Sequence, residues 1–314
     1  MYGFLARLCA DTLRTKTGKL NVRHSTCTLK ATTLTAPLLP LPTGDIHLWF
    51  CRHGDASGAD LAAACQALLT PEDRSRYERF HFARDRHRFL LTRALVRCVL
   101  SRYAPVPPQA WRFDNGPWGR PRIQSPFIES AQGLDFNLSH TNGLIVMALA
   151  RDMALGVDAE NVGRKAAFEV ADQFFSAAES AALKALAPSL QAERFFALWT
   201  LKESYIKARA MGLQIPLDSF GFALDDHHGI DFTLDEPHDD GAQRWHFWQL
   251  QPTPDHLVAV CAASTESHRA RIVCRETMPT QGETMVDLRT VRASTRIPEA
   301  GAFGAPDSPR PAPE

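Results

Sequence analysis

The sequence lacks several features that would assign it directly to a simple class of protein. Its 314 residues include seven cysteines, but no two of them lie within four residues of each other, so no zinc cluster or dithiol redox motif is visible. The 35 Lys and Arg residues balance 35 Asp and Glu residues, which disfavours a globally basic nucleic-acid-binding protein. The longest apolar stretch, residues 144–150, is far shorter than the roughly 20 residues of a membrane helix. We therefore expect neither a nucleic acid nor a membrane as partner.

The composition instead indicates a globular protein. Hydrophobic residues make up 45% of the chain and charged residues 22%, which supplies enough apolar side chain for a sizeable core. The scattered cysteines, such as Cys261 between Val260 and Ala262, are typical of buried thiols in a reducing compartment, so we predict a cytoplasmic location. Residues 1–43, with nine Thr, six Lys or Arg and one acid, also resemble a transit peptide in composition.

The order of predicted elements repeats along the chain. A strand, helices, a long helix and several short strands occur twice, with a period of about 110 residues, which predicts two similar α+β halves packed side by side. We place the N-terminal half at residues 44–150 and the C-terminal half at residues 151–278. Residues 1–43 are predicted to be a disordered leader. Residues 279–314, which hold six Pro and three Gly, are predicted to be a disordered tail.

Three helix boundaries carry clear signals. Thr70 followed by Pro71 and two acids predicts an N-cap and the first turn of a helix. A longer helix over residues 84–103 is predicted to end before Pro105. The longest helix is predicted over residues 190–211, with Gly212 as its C-terminal cap.

Residues 156–160, Gly-Val-Asp-Ala-Glu, are predicted to lie on a strand. Alternate side chains of a strand share a face, so Asp158 and Glu160 point the same way. Two neighbouring carboxylates repel each other and need a cation, a proton or a basic partner. Hard oxygen ligands of this kind suit Mg²⁺. A solvated strand end is the alternative that the spacing alone leaves open.

Trp199, Glu203 and Lys207 form one stripe if residues 190–211 are helical, because they are four residues apart. Glu203 and Lys207 stand in the favoured order for an ordinary surface ion pair, which is the alternative to a functional role. The large aromatic Trp199 on the same stripe disfavours a purely solvated face.

Residues 136–143 predict a strand that ends in a turn. Ser139 and His140 offer a hydroxyl and an imidazole to a phosphate there, although an ordinary polar turn would contain the same residue types. A Ser–His hydrolase is disfavoured because adjacent strand residues face opposite ways.

Arginines form a further feature. Eight Arg residues lie between Arg74 and Arg97, and Arg120 stands between Gly119 and Pro121. They would suit a phosphate-rich ligand, or they simply form a solvated helix face. No DNA- or RNA-binding motif accompanies them.

Together, the order and spacing of these motifs resemble the 4′-phosphopantetheinyl transferases of the Sfp type. The resemblance covers residues 46–263 and is carried by residues 119–121, 136–140, 156–160, 174–179 and 199–207. Residues 70–76 and 82–89 are similar to the N-terminal half of that family. Two positions depart from the family pattern, since the family commonly has Lys at Arg120 and Ile at Ala159.

The resemblance implies a pseudo-twofold α+β fold in which each half is a small, largely antiparallel sheet packed with helices. Coenzyme A would bind between the halves. The implied reaction moves phosphopantetheine from coenzyme A to a serine of an apo acyl- or peptidyl-carrier protein and releases adenosine 3′,5′-bisphosphate.

The resemblance also implies roles for single residues. The implied Mg²⁺ ligands are Asp158, Glu160 and Glu203. The implied contacts to the phosphates of coenzyme A are Arg76, Arg120, Ser139, His140 and Lys207. In the chemistry, Glu203 would take the serine proton, directly or through water, and Lys207 would stabilise the departing phosphate.

Two other functions stay open at this point. A non-catalytic module that binds coenzyme A or a carrier protein would keep the pocket, but the presence of all three carboxylates argues against it. A Mg²⁺-dependent nucleotide pyrophosphatase would release adenosine 3′,5′-bisphosphate without a carrier. The family places the site between two halves of one chain, so we expect a monomer. Fatty-acid, polyketide and nonribosomal-peptide carriers all remain candidates.

Overall fold

A computed structural model describes residues 37–116, 118–225, 228–234, 244–264 and 270–294. The elements of the first part of the chain are β1 Ile46–Arg52, α1 Ala59–Gln66, α2 Pro71–Glu78, α3 Ala83–Leu100, β2 Phe113–Asn115, β3 Pro121–Ile123, α4 Phe127–Ala131, β4 Leu134–Thr141 and β5 Leu144–Arg151. Those of the second part are β6 Leu155–Asn161, α5 Phe168–Phe174, α6 Ala177–Ala185, α7 Pro188–Arg209, β7 Phe220–Leu224, β8 Ile230–Leu234, β9 Arg244–Thr253, β10 His256–Ser264, β11 Ile272–Thr277, β12 Glu283–Met285 and β13 Thr290–Ala293. The predicted leader residues 1–36 and tail residues 295–314 lie outside the described residues.

The described elements form a mixed fold of helices and small sheets, as predicted. The five-stranded sheet has the strand order β12-β11-β1-β5-β4 and the four-stranded sheet has β13-β9-β10-β6, while β2 with β3 and β7 with β8 form two small two-stranded sheets. The pairings within them are antiparallel except for β1 with β11. Each half contributes a strand followed by helices and a hairpin, in the orders β1-β5-β4 and β6-β10-β9. The pseudo-twofold relation between the halves stays a prediction.

Alternate side chains of the two sheets divide the interior into three buried clusters. The helix-facing side of the first sheet, with Trp49 and Met147, packs on α1 and α3. The helix-facing side of the second sheet, with Phe247 and Ala259, packs on α6 and α7. The other faces of the two sheets pack against each other and form the third cluster, which includes Val146. The layers therefore run helix, sheet, sheet, helix.

The two sheets meet where β4 runs beside β6. Three side chains at alternate positions of β4 accept backbone N–H groups of β6, at 2.9, 3.1 and 3.1 Å: Asn137 from Val157, Ser139 from Ala159, and Thr141 from Asn161. Alternate residues of a strand point to the same face, so all three side chains face β6. The backbone N–H groups at this edge of β6 are therefore hydrogen-bonded by side chains of β4 instead of by the backbone of a neighbouring strand. This junction carries the candidate site.

Local signals explain where the main helices begin. The Thr70 hydroxyl accepts a hydrogen bond from the backbone N–H of Asp73, and Pro71 opens α2, as predicted. Ser176 and Glu179 form a reciprocal capping box at the start of α6. The longest helix, α7, ends at Arg209, and its C-cap is Ala210 in the left-handed conformation at φ 52°, not Gly212 as predicted.

No helix within the described ranges is both long and apolar enough to cross a bilayer.

The predicted disordered tail does not hold for residues 279–294. Strand β12 pairs with β11 on the first sheet, whereas β13 pairs with β9 on the second. Glu283 receives two hydrogen bonds from the guanidinium of Arg102, at 2.8 and 3.2 Å. The prediction failed because a short edge strand is stabilised by backbone pairing and needs little apolar sequence.

The last residues of the predicted leader are also part of the folded body. Leu41 is buried, and the Leu39 N–H donates to the carbonyl of Arg102. Arg102 itself donates to the carbonyl of Pro37.

We expect a chain of residues 44–278 to melt several degrees below a chain of residues 37–294, because it loses a pairing strand from each sheet. Thermal unfolding of both truncated proteins, followed by circular dichroism, tests this. Equal melting temperatures would show that residues 37–43 and the strands β12 and β13 together contribute little to stability.

Candidate active site

The candidate site is centred on Asp158, a buried side chain of β6. Its Oδ1 accepts hydrogen bonds from Lys207 Nζ of α7 at 2.6 Å and from Ser139 Oγ of β4 at 2.9 Å. Lys207 Nζ also donates to Ser139 Oγ and to the carbonyl of Val157, both at 3.1 Å. Three elements that are distant in sequence thus meet at one carboxylate.

Gly156 explains how α7 comes close enough to β6. A Cβ atom at this position would collide with the backbone of Ser204 and Ala208 on α7. With glycine there, the helix lies directly on the strand. Glu203 and Lys207, one helical turn apart, consequently lie beside Asp158.

Two further carboxylates, those of Glu160 and Glu203, lie close enough to Asp158 for its charge to shift their pKa values. Burial and the charge of Asp158 raise the pKa of Glu160 to about 7, while Arg164 and Lys207 oppose that shift. Burial and Asp158 likewise raise the pKa of Glu203 to about 7, against the effect of Lys207. Part of the carboxylate charge is therefore not neutralised by the basic side chains present.

His140 lies on the opposite face of β4 from Ser139. Its pKa is lowered to about 4, first by burial and then by the positive charges of Arg88 and Lys207. The imidazole is neutral at pH 7, so it offers a hydrogen bond to a ligand rather than a charge.

The donor set suits a hard divalent cation in its chemistry. Asp158 Oδ2 is buried and has no hydrogen-bond partner among the described residues. Glu160 holds the guanidinium of Arg164 at 2.9 Å. In the part of the chain that the structure describes, no three His, Cys, Asp or Glu side chains stand together as a ready metal-binding group. The buried unpartnered oxygen and the raised pKa values of two neighbouring carboxylates are nevertheless what an added cation would relieve.

A cavity of about 470 Å³ lies at the C-terminal end of α7, and its lining does not include the three carboxylates. Its lining includes Arg120, Asp135 and Leu134 from the first half of the chain, together with Ala208 of α7 and the C-cap residue Ala210. The cavity therefore lies where the first half of the chain meets the end of α7.

Comparison with known proteins assigns this arrangement to a family. The family model "4′-phosphopantetheinyl transferase superfamily" matches residues 154–261, and the model "4′-phosphopantetheinyl transferase, N-terminal" matches residues 55–152. The 4′-phosphopantetheinyl transferase Sfp of Bacillus subtilis (strain 168) is 32% identical over 197 residues, which cover 63% of this chain and 83% of that protein. The chain belongs to the 4′-phosphopantetheinyl transferase superfamily.

A second relative agrees with this assignment. The 4′-phosphopantetheinyl transferase HetI of Nostoc sp. is 32% identical over 231 residues, which cover 72% of this chain and 91% of that protein. A crystal structure of a holo-(acyl-carrier-protein) synthase from Bacillus anthracis covers 36% of this chain and 96% of its own, at 17% identity and a TM-score of 0.31. The family models and the two relatives confirm the family predicted from the motifs, and the protein is a transferase.

Two of the residues predicted to contact phosphate, Ser139 and Arg120, form hydrogen bonds to other groups of the transferase itself. Ser139 Oγ donates one hydrogen bond and accepts two, which uses its full capacity. Arg120 donates to Asp135 Oδ2 at 2.7 Å and to the carbonyls of Lys207 and Phe136. Their contacts to coenzyme A stay predictions.

The arginines of the α2–α3 region divide into structural and exposed members. Arg97 is buried and bonds Asp73 at 2.7 Å, with Arg93 on the other carboxylate oxygen. Exposed Arg76 lies over the ring of Phe89, 5.5 Å from its centroid. The structure brings Arg76 to α3 rather than to Asp158, and its predicted role stays a prediction.

Sequence reasoning assigned no role to Lys202, although it lies within a matched motif. In the transferase Lys202 is fully buried and bonds Glu179 at 2.8 Å and the carbonyls of Leu217 and Phe220. Glu179 in turn accepts the backbone N–H of Phe222. This ion pair connects α6, α7 and β7 through side-chain and backbone hydrogen bonds. The sequence does place both Glu179 and Lys202 within apolar helical stretches, which is unusual for charged residues. However, no rule of residue spacing predicts that these two side chains form a pair.

Proposed function

We propose that the protein transfers 4′-phosphopantetheine from coenzyme A to a serine of an apo acyl- or peptidyl-carrier protein, with Mg²⁺, and releases adenosine 3′,5′-bisphosphate. The observation that carries this proposal is the cluster of Asp158, Glu160, Glu203 and Lys207 at the junction of β4, β6 and α7. Family membership gives the reaction class, and this cluster supplies the groups that the reaction needs.

The three carboxylates are the proposed Mg²⁺ ligands. A bound Mg²⁺ would neutralise charge on the pyrophosphate oxygens and orient the leaving group. Asp158 offers its unpartnered Oδ2 for this purpose while Oδ1 keeps Lys207 and Ser139 in place.

Glu203 is the proposed general base. A serine hydroxyl does not ionise at neutral pH, so its proton must be taken as the hydroxyl attacks the phosphorus. Glu203 is the candidate because it stands one helical turn from Lys207 and near enough to Asp158 to be affected by the charge of that carboxylate. Lys207 stabilises the phosphate that departs, and neutral His140 contributes a hydrogen bond.

The cavity beside Arg120 is the proposed place for the adenosine end of coenzyme A. Its volume of about 470 Å³ lies within the range of small-molecule pockets. Arg120 lines the cavity and donates to the backbone carbonyl of Lys207, which links the cavity wall to the helix that carries the catalytic lysine.

The proposed setting is a monomer in the cytoplasm, without nucleic acid or membrane as partner. The described cysteines are free thiols, which supports a reducing compartment: Cys51, Cys65, Cys98, Cys261 and Cys274. The carrier belongs to fatty-acid, polyketide or nonribosomal-peptide synthesis.

The proposed function is tested by incubating the protein with coenzyme A, Mg²⁺ and an apo carrier protein, followed by intact-mass measurement of the carrier. We expect the carrier to gain the mass of one phosphopantetheinyl group, and a carrier with its acceptor serine replaced by alanine to gain none. Release of adenosine 3′,5′-bisphosphate at the same rate without carrier would instead identify a pyrophosphatase. Coenzyme A binding without any turnover would identify a binding module.

A further inference from the structure

Arg164 lies in the turn that follows β6, four residues after Glu160. Its Nη2 atom lies 2.9 Å from Glu160 Oε1, so a positive charge pairs directly with one of the three carboxylates of the site. The turn is fixed by Asn161, whose Oδ1 accepts the backbone N–H of Gly163 at 3.0 Å. The chain therefore turns back at the end of β6 and brings the guanidinium to Glu160.

The ion pair of Arg164 and Glu160 is built so that it can open. The Arg164 side chain is 35% exposed, so water is available to the guanidinium. The guanidinium also lies over the ring of Phe196, 5.2 Å from its centroid. Phe196 lies on α7 seven residues before Glu203, and thus on the same face of that helix. When Glu160 turns away, Arg164 therefore keeps a cation–π contact beside the site.

The two acids of β6 are matched by two basic side chains. Lys207 pairs with Asp158 at 2.6 Å, and Arg164 pairs with Glu160 at 2.9 Å. A cation that binds both acids competes with both bases for the carboxylate oxygens. Lys207 is 24% exposed and has two further acceptors, which anchor it. Arg164, the more exposed of the two, is the base that a cation displaces more readily.

We propose that Arg164 competes with the divalent cation for Glu160 and thereby lowers the cation affinity of the protein that has not bound coenzyme A. A guanidinium beside a divalent cation repels it, whereas the cation and Glu160 attract each other. The free protein then holds the cation weakly, and firm binding needs the additional oxygen ligands of the coenzyme pyrophosphate. The inference rests on the proposed function, because it takes the three carboxylates as cation ligands.

The test measures Mn²⁺ binding to the full chain without coenzyme A, from the decrease in the electron paramagnetic resonance signal of free Mn²⁺. Mn²⁺ is a suitable probe because carboxylate and water ligands suit it as they suit Mg²⁺. The variants are Arg164→Gln, which removes the charge, and Arg164→Lys, which keeps it. Lys165→Gln is the matched control, because it removes the same charge from the next residue, which is exposed.

We expect Arg164→Gln to bind Mn²⁺ about tenfold more tightly than the wild type, whereas Arg164→Lys and Lys165→Gln stay within about twofold of it. In a chelating buffer Arg164→Gln should melt at a lower temperature, because Glu160 has lost its counter-ion beside Asp158. Added Mn²⁺ should restore the melting temperature. A merely structural ion pair would lower the melting temperature in the same way but would leave the Mn²⁺ affinity unchanged.

The other outcomes separate the inference from the proposed function. Weaker Mn²⁺ binding by Arg164→Gln would overturn the inference, since the arginine would then orient Glu160 as a ligand. Equally tight binding by Lys165→Gln would overturn it as well, because the effect would be one of overall charge. Absence of Mn²⁺ binding in all four proteins would contradict both the inference and the metal assignment. The expected pattern in a protein that modifies no carrier would support the inference and contradict the proposed function.

Discussion

Replacing Asp158 by Asn is expected to lower the rate of phosphopantetheine transfer by about 10³-fold or more, since metal-dependent charge stabilisation is worth several kcal/mol. Asparagine keeps the shape of the side chain and an oxygen acceptor for Ser139 and Lys207. The substitution removes the negative charge that pairs with Lys207 and that would bind the proposed cation. The rate of carrier modification at saturating Mg²⁺ measures the effect.

A second readout separates loss of the cation from loss of the fold. Calorimetric titration should show that Mg²⁺ binding in the presence of coenzyme A is weakened in Asp158→Asn, whereas far-ultraviolet circular dichroism is unchanged. Asp255→Asn, at an exposed aspartate between β9 and β10, is the matched control and should behave as the wild type. Near-normal turnover of Asp158→Asn at saturating Mg²⁺ would contradict the metal assignment.

The central part of the site could be predicted because it follows strand and helix periodicity. Alternation on a strand put Asp158 and Glu160 on one face, and four-residue spacing put Glu203 and Lys207 on one helical stripe. The structure has both segments in the predicted conformation, as β6 and α7. Gly156 supplies the close approach that brings them together.

The role of Ser139 could not be predicted by the same reasoning. Strand alternation correctly placed Ser139 and His140 on opposite faces of β4. It does not predict which other element packs against each of these faces. The side chains of β4 pair with the backbone of β6, and no local pattern encodes such pairing between strands of different sheets. The same holds for Arg120, whose partners lie 15 to 87 residues away in sequence.

The ends of the fold were mispredicted for a related reason. Residues 279–294 have little apolar periodicity, yet β12 and β13 extend the two sheets through backbone hydrogen bonds. Edge pairing depends on a neighbouring strand with free backbone groups, which a reading of the segment alone does not reveal.

The buried ion pair of Lys202 and Glu179 leads to the largest expected effect on stability. Lys202→Met is expected to lower the free energy of unfolding by about 3–5 kcal/mol, because it leaves the Glu179 carboxylate buried without its cation. The carbonyls of Leu217 and Phe220 lose a donor at the same time. Urea unfolding at constant pH, monitored by tryptophan fluorescence, gives the free-energy difference.

Lys184→Met is the matched control, because Lys184 also pairs with an acid, Asp172, at 2.7 Å, but on the surface. Exposed pairs contribute about 0–1 kcal/mol, so the same substitution there should change stability little. Adding Glu179→Gln to Lys202→Met should recover part of the loss, since no unpaired charge then remains buried while an acceptor for Phe222 N–H is kept. Equal effects of Lys202→Met and Lys184→Met would contradict the buried pair as a stabilising link between α6, α7 and β7, since burial is the property in which the two pairs differ most.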